Sequence, residues 1–191
     1  MTAGKPKPTG GPPSGPEPQS LADFADAARR LSKDKFAATH GEAFLLHHGP
    51  IGALHPAARP MATMAREAAN DTGRDLAVPA QMDFLVFPVR ITGRSPFPNF
   101  VSVGRTPNND IVINDVSISK FQAFFRHGDD GQLCVQDAGS TNGTFVGDQR
   151  VPERQQGAPV PVASGASLRF GTVKVTFLLA GALQDLVERG L

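Results

Sequence analysis

Residues 104–144 read GRTPNNDIVINDVSISKFQAFFRHGDDGQLCVQDAGSTNGT, and the punctuation of this stretch decides the fold. Its apolar runs at 111–113, 123–126 and 133–136 are short, rich in β-branched and aromatic residues, and closed by clusters of Gly, Asp and Asn. That pattern predicts brief strands joined by turns. Outward from it, residues 100–103 alternate in the same way, and 144–146, 167–170 and 173–179 continue the series. The segment from about 83 to 180 therefore reads as an all-β sandwich. Loops at one end of a sandwich converge, so groups far apart in sequence can share a site on a rigid scaffold.

The residues at the strand edges define a chemistry. Arg105, Ser119, Lys120, Thr141 and Asn142 supply a guanidinium, hydroxyls, an amine and an amide from separate loops, a donor set suited to a phosphate group on a peptide. A phosphorylated side chain carries roughly −1.5 to −2 charges and three acceptor oxygens, so its receptor needs several donors and a fixed positive charge. Arg105 is the anchor, because a planar fork grips two oxygens at once. Ser119 and Thr141 add compact donors, and Lys120 a second positive charge. Asn142 both donates and accepts, which suits it to a neighbouring peptide backbone. Each residue alone has an ordinary reading: Arg105 as a solvated charge, Asn142-Gly143 as a hairpin turn, Ser119 as a turn residue. The inference rests on the ordered set.

That set, Gly104-Arg105, Asn109-Asp110-Ile111-Val112-Ile113, Ser119-Lys120-Phe121-Gln122-Ala123 and Gly139-Ser140-Thr141-Asn142-Gly143-Thr144-Phe145-Val146, resembles the forkhead-associated (FHA) domain family over about residues 84–180. The resemblance implies a noncatalytic eleven-strand β-sandwich that binds phosphothreonine in partner proteins. It implies Arg105 and Ser119 as phosphate ligands, Thr141 beside the threonine methyl, Lys120 near the phosphate and Asn142 on the peptide backbone. Gly104, Gln122 and Gly143 shape the loops. The family usually places histidine where this chain has Gln122, from which weaker or conditional binding is expected. That departure motivates an alternative, a phosphate-independent FHA-like scaffold or assembly protein.

Composition narrows the class. Thirteen Phe stand beside no Trp and no Tyr, so aromatic burial rests on phenylalanine, with Phe84, Phe87, Phe124, Phe125, Phe145, Phe170 and Phe177 as core candidates. A formal net charge of +1 argues against nucleic acid as a partner. Within residues 99–150, four Lys and Arg stand against six Asp, a local net of −2, which favours a focused anion pocket over general ionic capture. Cys134 is the single cysteine, which excludes an intrachain disulfide and fits a reducing compartment. The absence of a long apolar run or signal-like N-terminus predicts a cytoplasmic protein without a membrane partner. No phosphate-binding loop of the Gly-Lys-Ser/Thr type, nucleophile elbow or kinase signature occurs, so neither catalytic residues nor a cofactor are expected. The expected partners are a threonine-phosphorylated protein and a Ser/Thr protein kinase or its substrate.

The remaining segments are less informative. Residues 1–20 hold six Pro and four Gly and predict a disordered tail. Residues 21–80 read as a helical extension of unknown role. Ser20 and Asp23 form a capping-box start, and Leu21, Phe24, Ala28 and Leu31 share one face of a helix expected over 21–37. Met61, Met64, Ala65 and Ala68 allow a second helix over 60–70, stopped by Gly73. Phe44-Leu45-Leu46 is a short strand or a buried anchor. His40, His47, His48 and His55 match no zinc spacing, so no metal site is expected. The β-domain is placed at 81–182, and 183–191 as a C-terminal tail or short helix.

Overall fold

The computed structural model describes residues 19–48 and 84–189. Most of the Pro/Gly-rich segment, the helix expected over 60–70 and His55 lie outside the described residues. The described chain runs through strand β1 (Gln19–Ser20), a 3₁₀ turn (Leu21–Phe24), helices α1 (Ala25–Arg30) and α2 (Lys33–His40), and strands β2 (Ala43–His48) and β3 (Phe84–Pro88). There follow β4 (Val101–Gly104), β5 (Ile111–Val112), β6 (Ala123–His127), β7 (Leu133–Asp137), β8 (Thr144–Val146), β9 (Gln149–Arg150) and β10 (Val160–Pro161). The last elements are β11 (Ser167–Phe170), β12 (Val173–Leu179) and helix α3 (Ala180–Arg189). One sheet has the order β1-β3-β2-β12-β11-β8-β9 and the other β10-β7-β6-β4-β5. Every strand pairing is antiparallel except β4 with β5. The sandwich predicted from the strand pattern is present, with twelve strands where eleven were expected.

That total includes β2, which lies before the expected domain start at residue 81. It pairs with β3 on one side and β12 on the other, so the sandwich begins within the segment read as a separate extension. Sequence reading missed this because Ala43–Leu46 is a continuous apolar run rather than an alternating one. The run is buried on both faces, as expected of an interior strand covered on each side. Ala43 and Leu45 face the sandwich core with Leu85, Phe87, Phe125, Leu168, Phe170 and Phe177. Phe44 and Leu46 face a second core, closed by Phe24, Ala28 and Phe36 from the N-terminal helices and by Ala180 and Leu183 from α3.

The helix expected over 21–37 is instead broken between Leu31 and Ser32. Both take extended backbone, and Ser32 serves as the N-cap position of α2, a role that serine favours over mid-helix positions. The broken turn exposes carbonyls that need donors. Gln184 of α3 supplies them through Nε2, to Ala28 O at 2.7 Å and Leu31 O at 2.8 Å. At the other end, the Ser20 N–H donates to Asp23 Oδ2 at 2.8 Å. The C-terminal segment is the helix alternative, beginning at Ala180 rather than 183.

Two aromatic expectations change. Phe124 is buried, but on the outer face of the second sheet, where its ring lies 4.5 Å from that of Phe100 in a cluster with Phe97 and Phe121. Phe145 is half-buried under the Arg169 guanidinium, 3.6 Å from its ring centroid. The histidines are occupied locally: His40 packs on Phe24 and Phe36, the His47 ring bonds Lys174 O, and His48 bonds the Thr176 hydroxyl. Burial, with Arg90 nearby, lowers the His40 pKa. Burial and Asp130 raise that of the Cys134 thiol, which sits within β7.

The double burial of β2 makes a measurable demand. Leu45→Ala is expected to lower unfolding free energy by about 2–5 kcal/mol, whereas Val116→Ala, at a position 93% exposed, stays within about 0.5 kcal/mol of the parent. Urea unfolding followed by circular dichroism measures both; equal effects would contradict the interior placement of β2.

Candidate functional site

The site is built from three loops at one end of the sandwich. The first follows β4, where Gly104 lets the backbone of Lys120 come close. A Cβ at Gly104 would collide with Lys120 O and stand 2.7 Å from Asn109 Nδ2, so no larger residue fits without moving backbone. Lys120 O accepts from Asn109 Nδ2 at 2.7 Å and from Thr106 Oγ1 at 2.9 Å. The Arg105 N–H donates to Ser119 O at 3.0 Å. The Arg105 side chain is anchored by its Nε, which donates to Ile118 O at 3.1 Å. Its two terminal amino groups have no hydrogen-bond partner among the described residues.

The second and third loops meet through Ser119. Its Oγ accepts from the Thr141 N–H at 3.1 Å and lies 3.4 Å from Thr141 Oγ1. Asn142 Nδ2 donates to Ser117 O at 2.8 Å, so this side chain ties two loops together while its carbonyl oxygen stays available. Ser117 Oγ in turn accepts from Thr172 N and Thr172 Oγ1, bringing in the turn after β11. Gly143 has φ +78°, and a Cβ there would also touch the Phe145 ring at 3.0 Å.

Gln122 lies beneath this arrangement, fully buried. Its Oε1 accepts from the Ser119 N–H at 2.9 Å. Its Nε2 donates to Gly143 O at 2.9 Å and Thr144 Oγ1 at 3.2 Å. The residue therefore joins the loop bearing Ser119 to the loop bearing Thr141 and Asn142.

The five sequence-predicted binding residues come together around an open hollow of about 420 Å³, with Val116 and Phe121 on its rim. Its lining holds two cationic side chains and no carboxylate, within the stretch 99–150 whose net charge is −2. Two larger hollows, of about 560 and 650 Å³, contain none of the five. Convergent donors and a lining without a carboxylate, rather than volume, distinguish the smaller one: Asp115 lines one of the larger hollows and Glu42 the other. Among the described residues no group of three His, Cys, Asp or Glu could hold a metal ion, and no helix is long and apolar enough to cross a membrane.

Two buried carboxylates that shape the loops were not assigned roles from sequence. Asp137 accepts from the N–H groups of Gly139 and Ser140, each at 2.8 Å, and from the hydroxyls of Ser140 at 2.7 Å and Thr144 at 2.6 Å. The local signal was Asp at the head of Asp-Ala-Gly-Ser, a pattern in which an aspartate bonds the backbone two and three residues on. Asp110 accepts from Thr92 N and Oγ1 and from Ser102 N and Oγ. No local spacing announces that set, since Thr92 lies 18 residues away. Burial opposes the Asp110 charge, but the bonds from Ser102 and Thr92 outweigh it and hold the carboxyl below its ordinary range.

The FHA domain family model matches residues 101–171. An oxoglutarate dehydrogenase inhibitor from Corynebacterium diphtheriae is 32% identical over 117 residues, which cover 58% of this chain and 75% of that protein. The glycogen accumulation regulator GarA of Mycolicibacterium smegmatis is 35% identical over 84 residues, covering 44% of this chain and 49% of GarA. A crystal structure of the FhaA FHA domain complexed with the intracellular domain of Rv3910 aligns at TM-score 0.38 and 21% identity, over 48% of this chain and 86% of that one.

The depressed Asp110 pKa fixes the sign of a pH effect. Its stabilisation is present above the unfolded carboxyl value of about 4 and is lost as pH falls through the lower folded value. Asp110→Asn is therefore expected to be less stable than the parent at pH 7, with the gap narrowing as pH falls below about 4. Urea unfolding of both proteins across this range measures it; a gap that is constant with pH would show that the charge contributes nothing.

Proposed function

The chain belongs to the FHA domain family, and from that premise we propose that it is a noncatalytic adaptor in Ser/Thr kinase signalling in the cytoplasm, which captures a partner protein once a threonine on it is phosphorylated. One observation carries the reading: Arg105, Lys120, Ser119 and Thr141 converge on a carboxylate-free hollow in an otherwise acidic stretch. In this reading the Arg105 terminal amines grip two phosphate oxygens, with Nε already committed to Ile118 O so that the fork is held in place. Ser119 Oγ donates to a third oxygen, and Lys120 adds charge from the rim. Thr141 stands beside the threonine methyl, and the free Asn142 carbonyl accepts from the peptide backbone. The curated relatives are an enzyme inhibitor and a metabolic regulator by name, roles that binding alone can perform.

Binding of this kind brings proteins together without altering a covalent bond. Charge-assisted hydrogen bonds contribute about 1.5–3 kcal/mol each, so Arg105→Ala is expected to weaken binding of phosphothreonine peptides roughly 10- to 100-fold. Fluorescence anisotropy with a phosphothreonine peptide library and its unphosphorylated counterpart measures this. Equal affinity for the two peptide forms, unchanged by Arg105→Ala, would sink the reading and leave the phosphate-independent scaffold.

A further inference from the structure

We infer that Gln122 is the positioning residue of the phosphopeptide site and that it holds the loops in register through an uncharged relay, one that has no proton to gain or lose near neutral pH. The inference rests on the phosphothreonine reading above.

The geometry is that of a hub. The Gln122 N–H donates to Val103 O at 2.8 Å, beside the strand end that leads to Arg105, and its carbonyl accepts from Ala138 N at 3.0 Å. Its side chain then spans the Ser119 loop and the Gly143–Thr144 backbone. One residue thus touches every segment that carries a predicted phosphate or peptide contact. The amide orientation is fixed by its partners: Ser119 offers an N–H and Gly143 a carbonyl, so the flipped amide would set donor against donor and acceptor against acceptor. Thr144 Oγ1 donates to Asp137 Oδ2, leaving a lone pair for Gln122 Nε2. The amide relay ends at Thr144; beyond it the Asp137 carboxylate separately accepts from Ser140 and Gly139.

An amide suits this position for a chemical reason. It presents an acceptor at one end and two donors at the other and keeps both at every physiological pH. A carboxylate has no donor for Gly143 O. An imidazole has one donor and one acceptor when neutral and two donors when protonated, and the protonated form would confront the Ser119 N–H. None of the groups bonded directly to Gln122 (Val103, Ala138, Ser119, Gly143 and Thr144) is titratable. The ionisable neighbours are Asp137, reached through Thr144, and Arg105 and Lys120 across the Ser119 loop.

The test compares Gln122→Leu, Gln122→Glu and Gln122→His with the parent, using one phosphothreonine peptide from the library and its unphosphorylated form between pH 5.5 and 8. Thermal unfolding by circular dichroism confirms that each variant is folded at the assay temperature. Gln122→Leu and Gln122→Glu are expected to lose about tenfold or more in phosphopeptide affinity at pH 7.5. Gln122→His is expected to bind within about threefold of the parent at pH 8 and to weaken relative to it as pH falls. Taking the ratio of the two cancels the titration of the phosphate itself. A folded Gln122→Leu or Gln122→Glu that binds like the parent overturns the inference, as does a Gln122→His ratio that is flat with pH. If Gln122→Leu does not fold, the glutamate and histidine variants decide. Failure of the underlying reading is separate, because it shows in the parent as indifference to phosphorylation.

Discussion

A primary amide held out of water between two loops must satisfy an acceptor and two donors, and this constraint on Gln122 governs the binding end of the molecule. An unbonded polar group in such a place costs on the order of 1–3 kcal/mol, so the loops are free to sit only where the amide finds Ser119 N–H, Gly143 O and Thr144 Oγ1. Asp137 and Asp110 impose the same discipline on either side. Each collects four hydrogen bonds from short polar residues. The surface donors are mounted on this buried polar layer, which explains how side chains from separate loops keep a common geometry without a regular element beneath them.

The layer also separates two kinds of work. Groups that hold the loops are buried and bonded within the protein, while Arg105, Ser119, Lys120 and Thr141 line the open hollow. Arg105 shows the division within one side chain, with Nε bonded to Ile118 O and the fork left to the hollow. Asn142 shows it too, since its amino group ties loops and its carbonyl remains. A charged pair of side chains kept away from carboxylates retains its field for an incoming anion. Elsewhere cations behave differently: Lys33 pairs with Asp185 at 2.8 Å on the helical layer.

The helical layer is structural in the same sense. By covering Phe44, Leu46, Phe84 and Val86, it turns β2 and β3 from strands with one wet face into strands buried on both. Gln184 completes that layer by taking the carbonyls freed where the N-terminal helix breaks, although its own Oε1 has no partner among the described residues. The two cores meet across these strands and across β12, which gives Phe177 to one and Leu178 to the other, so the packing of the N-terminal segment and of the sandwich is mutually dependent.

The sequence by itself determined the strands β4 to β8, β11 and β12, the turns that bound them and the donor set, because those follow from alternation, Gly/Asp/Asn punctuation and residue chemistry, all local properties; the two-residue strands β9 and β10 are too short to carry such a pattern. It also marked Gly104 and Gly143 as loop-shaping, and Gln122 as the point of departure within the family pattern. It did not place β2 inside the sheet, because a run buried on both faces has no alternation to read and gains its identity from neighbours at residues 84–88 and 173–179. It did not break the helix at Leu31, a break stabilised by Gln184 more than 150 residues away. Nor did it show that the Gln122 amide bridges two loops 21 residues apart. Only the tertiary structure decided these points, for one physical reason: a buried polar or apolar group must find its partner in space, and chain separation does not record which segments are brought together.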